Sequence, residues 1–247
     1  MKKVLVVAYA FPPVGGAGVQ RVAKFVKYLT GYAWEPIVLT VTNPSVPVVD
    51  QPSLRDIPVG VRIYQASSLE PSYTQKQLLS RTEGGLWARV KSLVKKILST
   101  LLLPDVQVLW WPGLILHLVH TVRSEKPDCI FVTAPPFSSF IPVVAIGAFL
   151  KVPVVVDFRD EWTFSRNQLE NAQKGTIARK LDYFFEKYVV TKCSAITTAS
   201  QSYTDTMVSN YQLPVGKATT ITNGFDEEDF LFSRQPQEVT KNEIVIV

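Results

Sequence analysis

Residues 2–25 read KKVLVVAYAFPPVGGAGVQRVAKF, and the fold turns on how this stretch divides. Val4 to Val7 is an unbroken apolar, mostly β-branched run with no polar face, the pattern of a strand buried on both sides. Gly15, Gly16 and Gly18 follow, with Ala17 among them. Val19, Val22, Phe25, Val26 and Leu29 then recur at helical spacing, which predicts a helix over 18–29. Strand, glycine turn and helix make the opening of a βαβ unit. Two lysines before an apolar run also imitate a secretory signal, but the run is only one strand long, so the strand reading is preferred.

The same alternation continues outward. Strand-like runs occupy 36–41 (PIVLTV), 61–66 (VRIYQA), 129–134 (CIFVTA), 153–158 (PVVVDF), 195–200 (AITTAS) and 218–223 (ATTITN). Helical patterns lie near 138–150, 175–192 and 201–211, and 42–60 reads as loop. The expected fold class is therefore α/β, a Rossmann-like doubly wound parallel sheet. Residues 129–150 carry no charge, but Pro135, Pro136 and Pro142 interrupt them, so they read as strand, turn and helix rather than a membrane span. Asp226 to Lys241 has the polarity of a linker, and NEIVIV at 242–247 reads as a fresh strand. The expected division is thus a domain over 1–226, a linker over 227–241, and the first strand of a second domain over 242–247.

Of the 247 residues, 47% are apolar and 19% charged, enough for a substantial core. The net charge of +5 is too small to argue for nucleic acid. Two cysteines and two histidines give neither a disulfide framework nor a zinc set, and point to a reducing compartment. His117 and His120, on an apolar helix, read as packing residues. Basic charge concentrates in Arg81, Arg89, Lys91, Lys95 and Lys96. The stretch 86–103 (LWARVKSLVKKILSTLLL) reads as a basic amphipathic helix, fitting either an anionic membrane surface or a core with a solvated basic face.

Three segments end on strands that should share one rim. Gly15, Gly16 and Gly18 suit either close approach of an anion to a helix N-terminus or simply a tight turn. The loop lacks the Lys-Ser/Thr of a P-loop, and no acid ends the second strand as an NAD ribose would require. Asp157, Arg159, Asp160, Glu161 and Trp162 (DFRDEW, 157–162) could position sugar hydroxyls and support a leaving phosphate, or form a surface ion-pair loop. Pro136, Phe137 and Ser138 lie on the third segment, whose serines are equally suited to cap a helix. No Asp-x-Asp occurs, so a metal-held diphosphate lacks its simplest ligand pair.

Taken in order, FPPVGGAGVQR, VVVDFRDEW, AITTAS and ITNGFDEEDF resemble the N-terminal, acceptor-side domain of a GT-B fold retaining glycosyltransferase of family 4, the group 1 glycosyltransferases. That resemblance implies two Rossmann-like domains, metal-independent transfer with retention, and no cofactor. It implies a nucleotide-sugar donor (UDP-, GDP- or ADP-linked) and a glycan or lipid-linked acceptor, as in polysaccharide or lipopolysaccharide biosynthesis. The place would be the cytoplasmic side of a bacterial membrane, which 86–103 could touch. By the same resemblance Gly15, Gly16 and Gly18 approach the donor diphosphate, Asp157, Arg159 and Asp160 face the sugar, and Asn223, Gly224 and Asp226 shape the hinge; Arg21, Pro136, Phe137, Ser138, Glu161 and Trp162 are further substrate-binding candidates. Many relatives carry a histidine where this chain has Arg159. The family's donor-binding glutamate-rich motif lies in a C-terminal domain, so residues 1–247 by themselves are expected to be inactive. Alternatives are a sugar-nucleotide epimerase of the same fold or a non-catalytic nucleotide- or glycan-binding module.

Overall fold

The structure, a computed structural model, describes residues 1–45, 49–73, 75, 102–164 and 175–231. Most of the expected basic helix 86–103, the greater part of the expected linker and the expected strand 242–247 lie outside those residues. Seven strands form one sheet: β1 (Lys2–Val7), β2 (Trp34–Val41), β3 (Arg62–Ala66), β4 (Cys129–Ala134), β5 (Val154–Phe158), β6 (Ala195–Thr198) and β7 (Ala218–Thr220). Their order is β3-β2-β1-β4-β5-β6-β7, with every neighbouring pair parallel. Among the described residues the α-helices are α1 (Ala17–Leu29), α2 (Trp111–Glu125), α3 (Phe140–Leu150), α4 (Thr176–Lys192), α5 (Gln201–Tyr211) and a short α6 (Glu227–Leu231). Within the described residues the expected strands and helices are present, with ends shifted by a few residues.

Two-residue alternation in β1 decides which helix covers which face. Val4, Val6 and Ala8 pack with Val22 and Val26 of α1 and Val38 of β2. Leu5, Val7 and Tyr9 point the other way, into a larger core with Leu114, Leu118 and Val122 of α2. Each buried valine or leucine among these contributes roughly 1.5–3 kcal/mol. Strand order reverses between β1 and β4. Chains leaving two adjacent strands in opposite directions open a crevice beyond their carboxyl ends, and the glycine turn lies there.

The uncharged run 129–150 is β4, a turn and α3, as read from its prolines. No described helix is long and apolar enough to cross a membrane. One packing expectation is corrected: His120 is exposed on α2, and His117 is half-buried with Nδ1 2.9 Å from the Gly113 carbonyl oxygen of its own helix. Gly113 itself lets α2 close against the chain after β3. A Cβ there would stand 2.1 Å from the Ser67 carbonyl oxygen, a backbone atom that cannot swing away. Gly113→Ala is therefore expected to destabilise the fold by about 1–3 kcal/mol, read as a lower denaturant midpoint.

Candidate functional site

The site is assembled around Asp157, the penultimate residue of β5. It is fully buried, and its two oxygens accept from Arg21 Nε (3.1 Å) and Nη2 (2.8 Å), Thr133 Oγ1 (2.8 Å) and Thr197 Oγ1 (2.7 Å). Expected to face a sugar, Asp157 has instead all its acceptor directions taken by β4, β6 and α1. Arg21 passes the link on, donating from Nη1 to Asn223 Oδ1 at 3.1 Å, and its guanidinium lies 4.8 Å from the Phe25 ring centroid. Arg21 and Asp157 thus join α1 to the sheet and to the segment after β7.

Arg159 and Asp160 do reach the rim. Asp160 Oδ2 accepts from Arg159 Nε (3.2 Å) and Nη2 (3.0 Å), which leaves Nη1 over Gly18. A Cβ on Gly18 would come within 1.9 Å of that nitrogen, so this glycine is the clearance that admits the guanidinium. Gly16, at φ 115°, ends the turn in a conformation favouring glycine, and no side chain caps the first turn of α1. The orphan N–H groups of a helix start and a nearby guanidinium form an anion-attracting corner. A cavity of about 150 Å³ opens there, bounded by Tyr9, Gly15, Gly18, Thr133, Pro135 and Arg159. It sits at the β1/β4 reversal.

Other expected site residues lie elsewhere. Phe137 stacks on Trp162 at 5.1 Å, and both are buried with Phe140 and Phe158. Ser138 is buried as well, its Oγ 2.5 Å and its N–H 3.0 Å from the Asp105 carboxylate. Pro136 is buried too, and its carbonyl accepts from Ser139 Oγ at 2.8 Å. Neither serine side chain caps α3. Aromatic area next to a rim is worth more as core than as a ligand platform, so packing takes these residues. Glu161 is half-buried; Asn223 and Gly224 are exposed.

A second cavity, a groove of about 970 Å³, shares Gly18 and Arg159 with the first and follows α1 past Lys24, Tyr28 and Tyr32, with Phe225 and Asp229 opposite. Sequence reasoning missed all but its Gly18, Arg21, Arg159, Asp160, Asn223, Gly224 and Asp226 end. The signal available was the face of α1 opposite its apolar stripe, where Arg21, Lys24 and Tyr28 recur at helical spacing. Asp56, Asp226 and Asp229 converge within 4.8 Å, a spacing that could hold a metal ion. Lys24 Nζ already lies 2.8 Å from each of the three carboxylates. Burial by itself would raise the Asp226 carboxyl, but hydrogen bonds from Lys24, Lys27 and Tyr28 outweigh it and hold the group well below its ordinary range.

Beneath the rim loop, Glu186 of α4 is fully buried, accepting from Thr163 Oγ1 and, at 3.5 Å, from Tyr203 O–H of α5. Burial pushes its carboxyl up to about 7, and like charge from Asp182 adds to this against hydrogen bonds from Thr163, Tyr211 and Tyr203.

The profile of glycosyltransferase family 4 matches residues 72–229, well over half of the chain. The chain belongs to glycosyltransferase family 4. Comparison with curated protein sequences gave no match. Among solved structures, sucrose-phosphate synthase from Thermosynechococcus elongatus is 12% identical, with 92% of this chain and 49% of that one covered at a TM-score of 0.53. HepE from Anabaena, in complex with UDP and glucose, is 12% identical over 92% and 46% at 0.52. UDP-GlcNAc 2-epimerase from Neisseria meningitidis, bound to UDP-GlcNAc, is 12% identical over 89% and 46% at 0.50. Likeness at this identity speaks for the fold: the parallel sheet is the N-terminal Rossmann-like domain of the GT-B architecture. The family 4 chain spans about half the length of these structures.

Two outcomes follow for this glycosyltransferase domain. Arg21→Leu strands a buried carboxylate, so a loss of about 3–5 kcal/mol is expected in chemical denaturation. Glu186 has a raised folded value, so its stabilising contribution is complete below the ordinary glutamate value of 4.5 and is lost as pH rises through about 7. Glu186→Gln should therefore gain melting temperature relative to the parent as pH climbs from about 5 to about 8, a trend that thermal melts across that range would read.

Proposed function

We propose that this domain is the acceptor-side half of a retaining, metal-independent hexosyltransferase that draws on a nucleotide-sugar. Family membership supports sugar transfer. The observation that carries the finer reading is Arg159, whose guanidinium borders both the anion-attracting corner at α1 and the groove beside it. In the proposed reaction the bond between the donor sugar's C1 and its phosphate oxygen breaks, and a bond from C1 to an acceptor hydroxyl oxygen forms. The hydroxyl proton is released, and the nucleoside diphosphate departs.

Charge grows on the leaving phosphate as that bond lengthens, and Arg159 Nη1 with the N–H groups of the α1 start would stabilise it. Asp160 holds the guanidinium by two of its nitrogens and so fixes which one faces the corner. Asp157 and Arg21 act one step back, positioning α1 and Asn223. The basic sequence 86–103 supports a meeting with a lipid-linked acceptor at an anionic membrane surface, within a cell-surface polysaccharide pathway. Structures bound to UDP-glucose and to UDP-GlcNAc share the fold, which favours UDP-sugars as the first donors to test.

The test incubates the natural full-length protein with UDP-, GDP- and ADP-sugars, with and without a lipid extract. Free nucleotide and the sugar product are both followed. Nucleotide release stimulated by the extract is expected. Conversion of the sugar to its C2 epimer without stimulation would replace transfer by epimerisation. Gly18→Ala should cut turnover roughly tenfold to a hundredfold by displacing Arg159. Its melting temperature should stay close to the parent's, because the clash falls on the end of a flexible side chain.

A further inference from the structure

The loop from Arg159 to Phe164 rests on buried polar groups that the proposed chemistry does not use. Asp182 and Glu186 lie one helical turn apart on the inner face of α4, 1% and 0% exposed. Thr163 Oγ1 and Tyr203 O–H both donate to Glu186. Tyr211 of α5 stands beside them, its ring stacked on Tyr183 of α4 at 5.9 Å. Packed against α4 on its other side, α3 reads FIPVVAIGAFL and brings no titratable group. Glu161 of the loop adds negative charge on the Tyr203 side. The groups acting on Glu186 are thus hydroxyls and a second carboxylate, with no cation among them.

Two carboxylates in one dry space cannot both ionise cheaply. Burial first, and Asp182 after it, push the Glu186 carboxyl up to about 7, whereas in an opened, hydrated loop it returns toward its ordinary 4.5. The same burial raises Tyr203 and Tyr211, so both stay protonated. Trp162 offers the loop no second polar anchor, since its Nε1 is buried without a hydrogen-bond partner and its ring is held by stacking on Phe137. Thr163 also lines, with Asp182, a cavity of about 670 Å³. Moving Thr163 aside would join Glu186 to that space and let water reach it. We propose that Glu186 is a proton-operated latch on the rim loop, holding Thr163 and the stacked rings closed while it carries a proton and releasing them to water when the proton leaves. Glu186 is thereby a positioning residue, acting through Thr163 on Arg159 and Asp160. Its effect on turnover rests on the transferase reading, whereas the latch itself does not. Closure is favoured fully below about 4.5, and the advantage is lost as pH rises through about 7.

Amide hydrogen exchange of the natural full-length protein, corrected for intrinsic rates, tests the latch. Protection of residues 159–164 should fall about tenfold or more between pH of about 5 and about 8, as the linkage requires. That fall should vanish in Glu186→Gln, which is neutral and equal in shape. Thr163→Val, close in volume but without the hydroxyl, should show low protection at both ends of the range. Infrared titration of the parent should show a carboxylic-acid carbonyl band that disappears near neutrality and is absent from Glu186→Gln. Loop protection that stays constant in the parent, or a fall that Glu186→Gln retains, would overturn the proposal. So would a fall at 159–164 that only keeps step with the amides of β1 and β4, because Glu186 would then ionise on global unfolding alone. Once nucleotide release has identified a donor, kcat should decline over the same range in the parent and lose that decline in Glu186→Gln. A decline shared by both would overturn the hold on Arg159 and Asp160. No nucleotide release from any donor, with exchange and infrared as expected, would sink the transferase reading and sustain the latch.

Discussion

A fully buried carboxylate, Asp157, organises the ligand-facing side of this domain. A charge in that position is tolerable only if nearly every acceptor direction is filled, and here β4, β6 and α1 each send a donor to it. The consequence is mechanical. Arg21 cannot leave Asp157 without stranding a charge, so α1 is held at a set distance from the carboxyl ends of β4, β5 and β6. Its remaining nitrogen then holds Asn223, tying the segment after β7 to the same point.

That clamp sets the geometry of two neighbouring spaces. One is the corner at the β1/β4 reversal, where an uncapped helix start meets the Arg159 guanidinium. The other is the groove along the outer face of α1. Arg159 stands between them because Gly18 has no side chain and Asp160 fixes the guanidinium from behind. In the groove, Arg21 is paired with Asp157, and Lys24 with Asp56, Asp226 and Asp229, while rings and carboxylates are exposed.

Beneath the rim the stabilising forces differ. Phe137, Phe140, Phe158 and Trp162 form an aromatic layer under the loop that carries Arg159 and Asp160. Thr163 anchors the far end of that loop on buried Glu186. The loop is therefore held at both ends, by Asp157 in β5 and by Thr163 on α4, and two rim side chains stand between. Rigid support of this sort is what keeps a charged pair in place at low entropic cost.

Much of the fold could be read in the amino-acid sequence. Runs apolar on both faces, alternating with helical periodicity, admit little besides a covered parallel sheet, because such strands need helices on both sides to leave water. The glycine turn was legible for a similar reason: glycine clusters between strand and helix have few purposes. The order of four short motifs pointed to the glycosyltransferase family. What the one-dimensional pattern could not separate was burial from exposure within DFRDEW and PPFSS. Asp157 and Asp160 are the same residue type three positions apart, yet one is sealed in the sheet and the other lies at the rim. Trp162 and Phe137, candidates for substrate binding from their place at strand ends, are core. The pairing of Arg21 with Asp157, and the groove from Gly18 to Phe225, join residues distant in the chain that only strand order and helix packing bring together. Local periodicity determined the elements; the tertiary structure decided which charges are neutralised and which still face solvent, because desolvation depends on everything that surrounds a group in space.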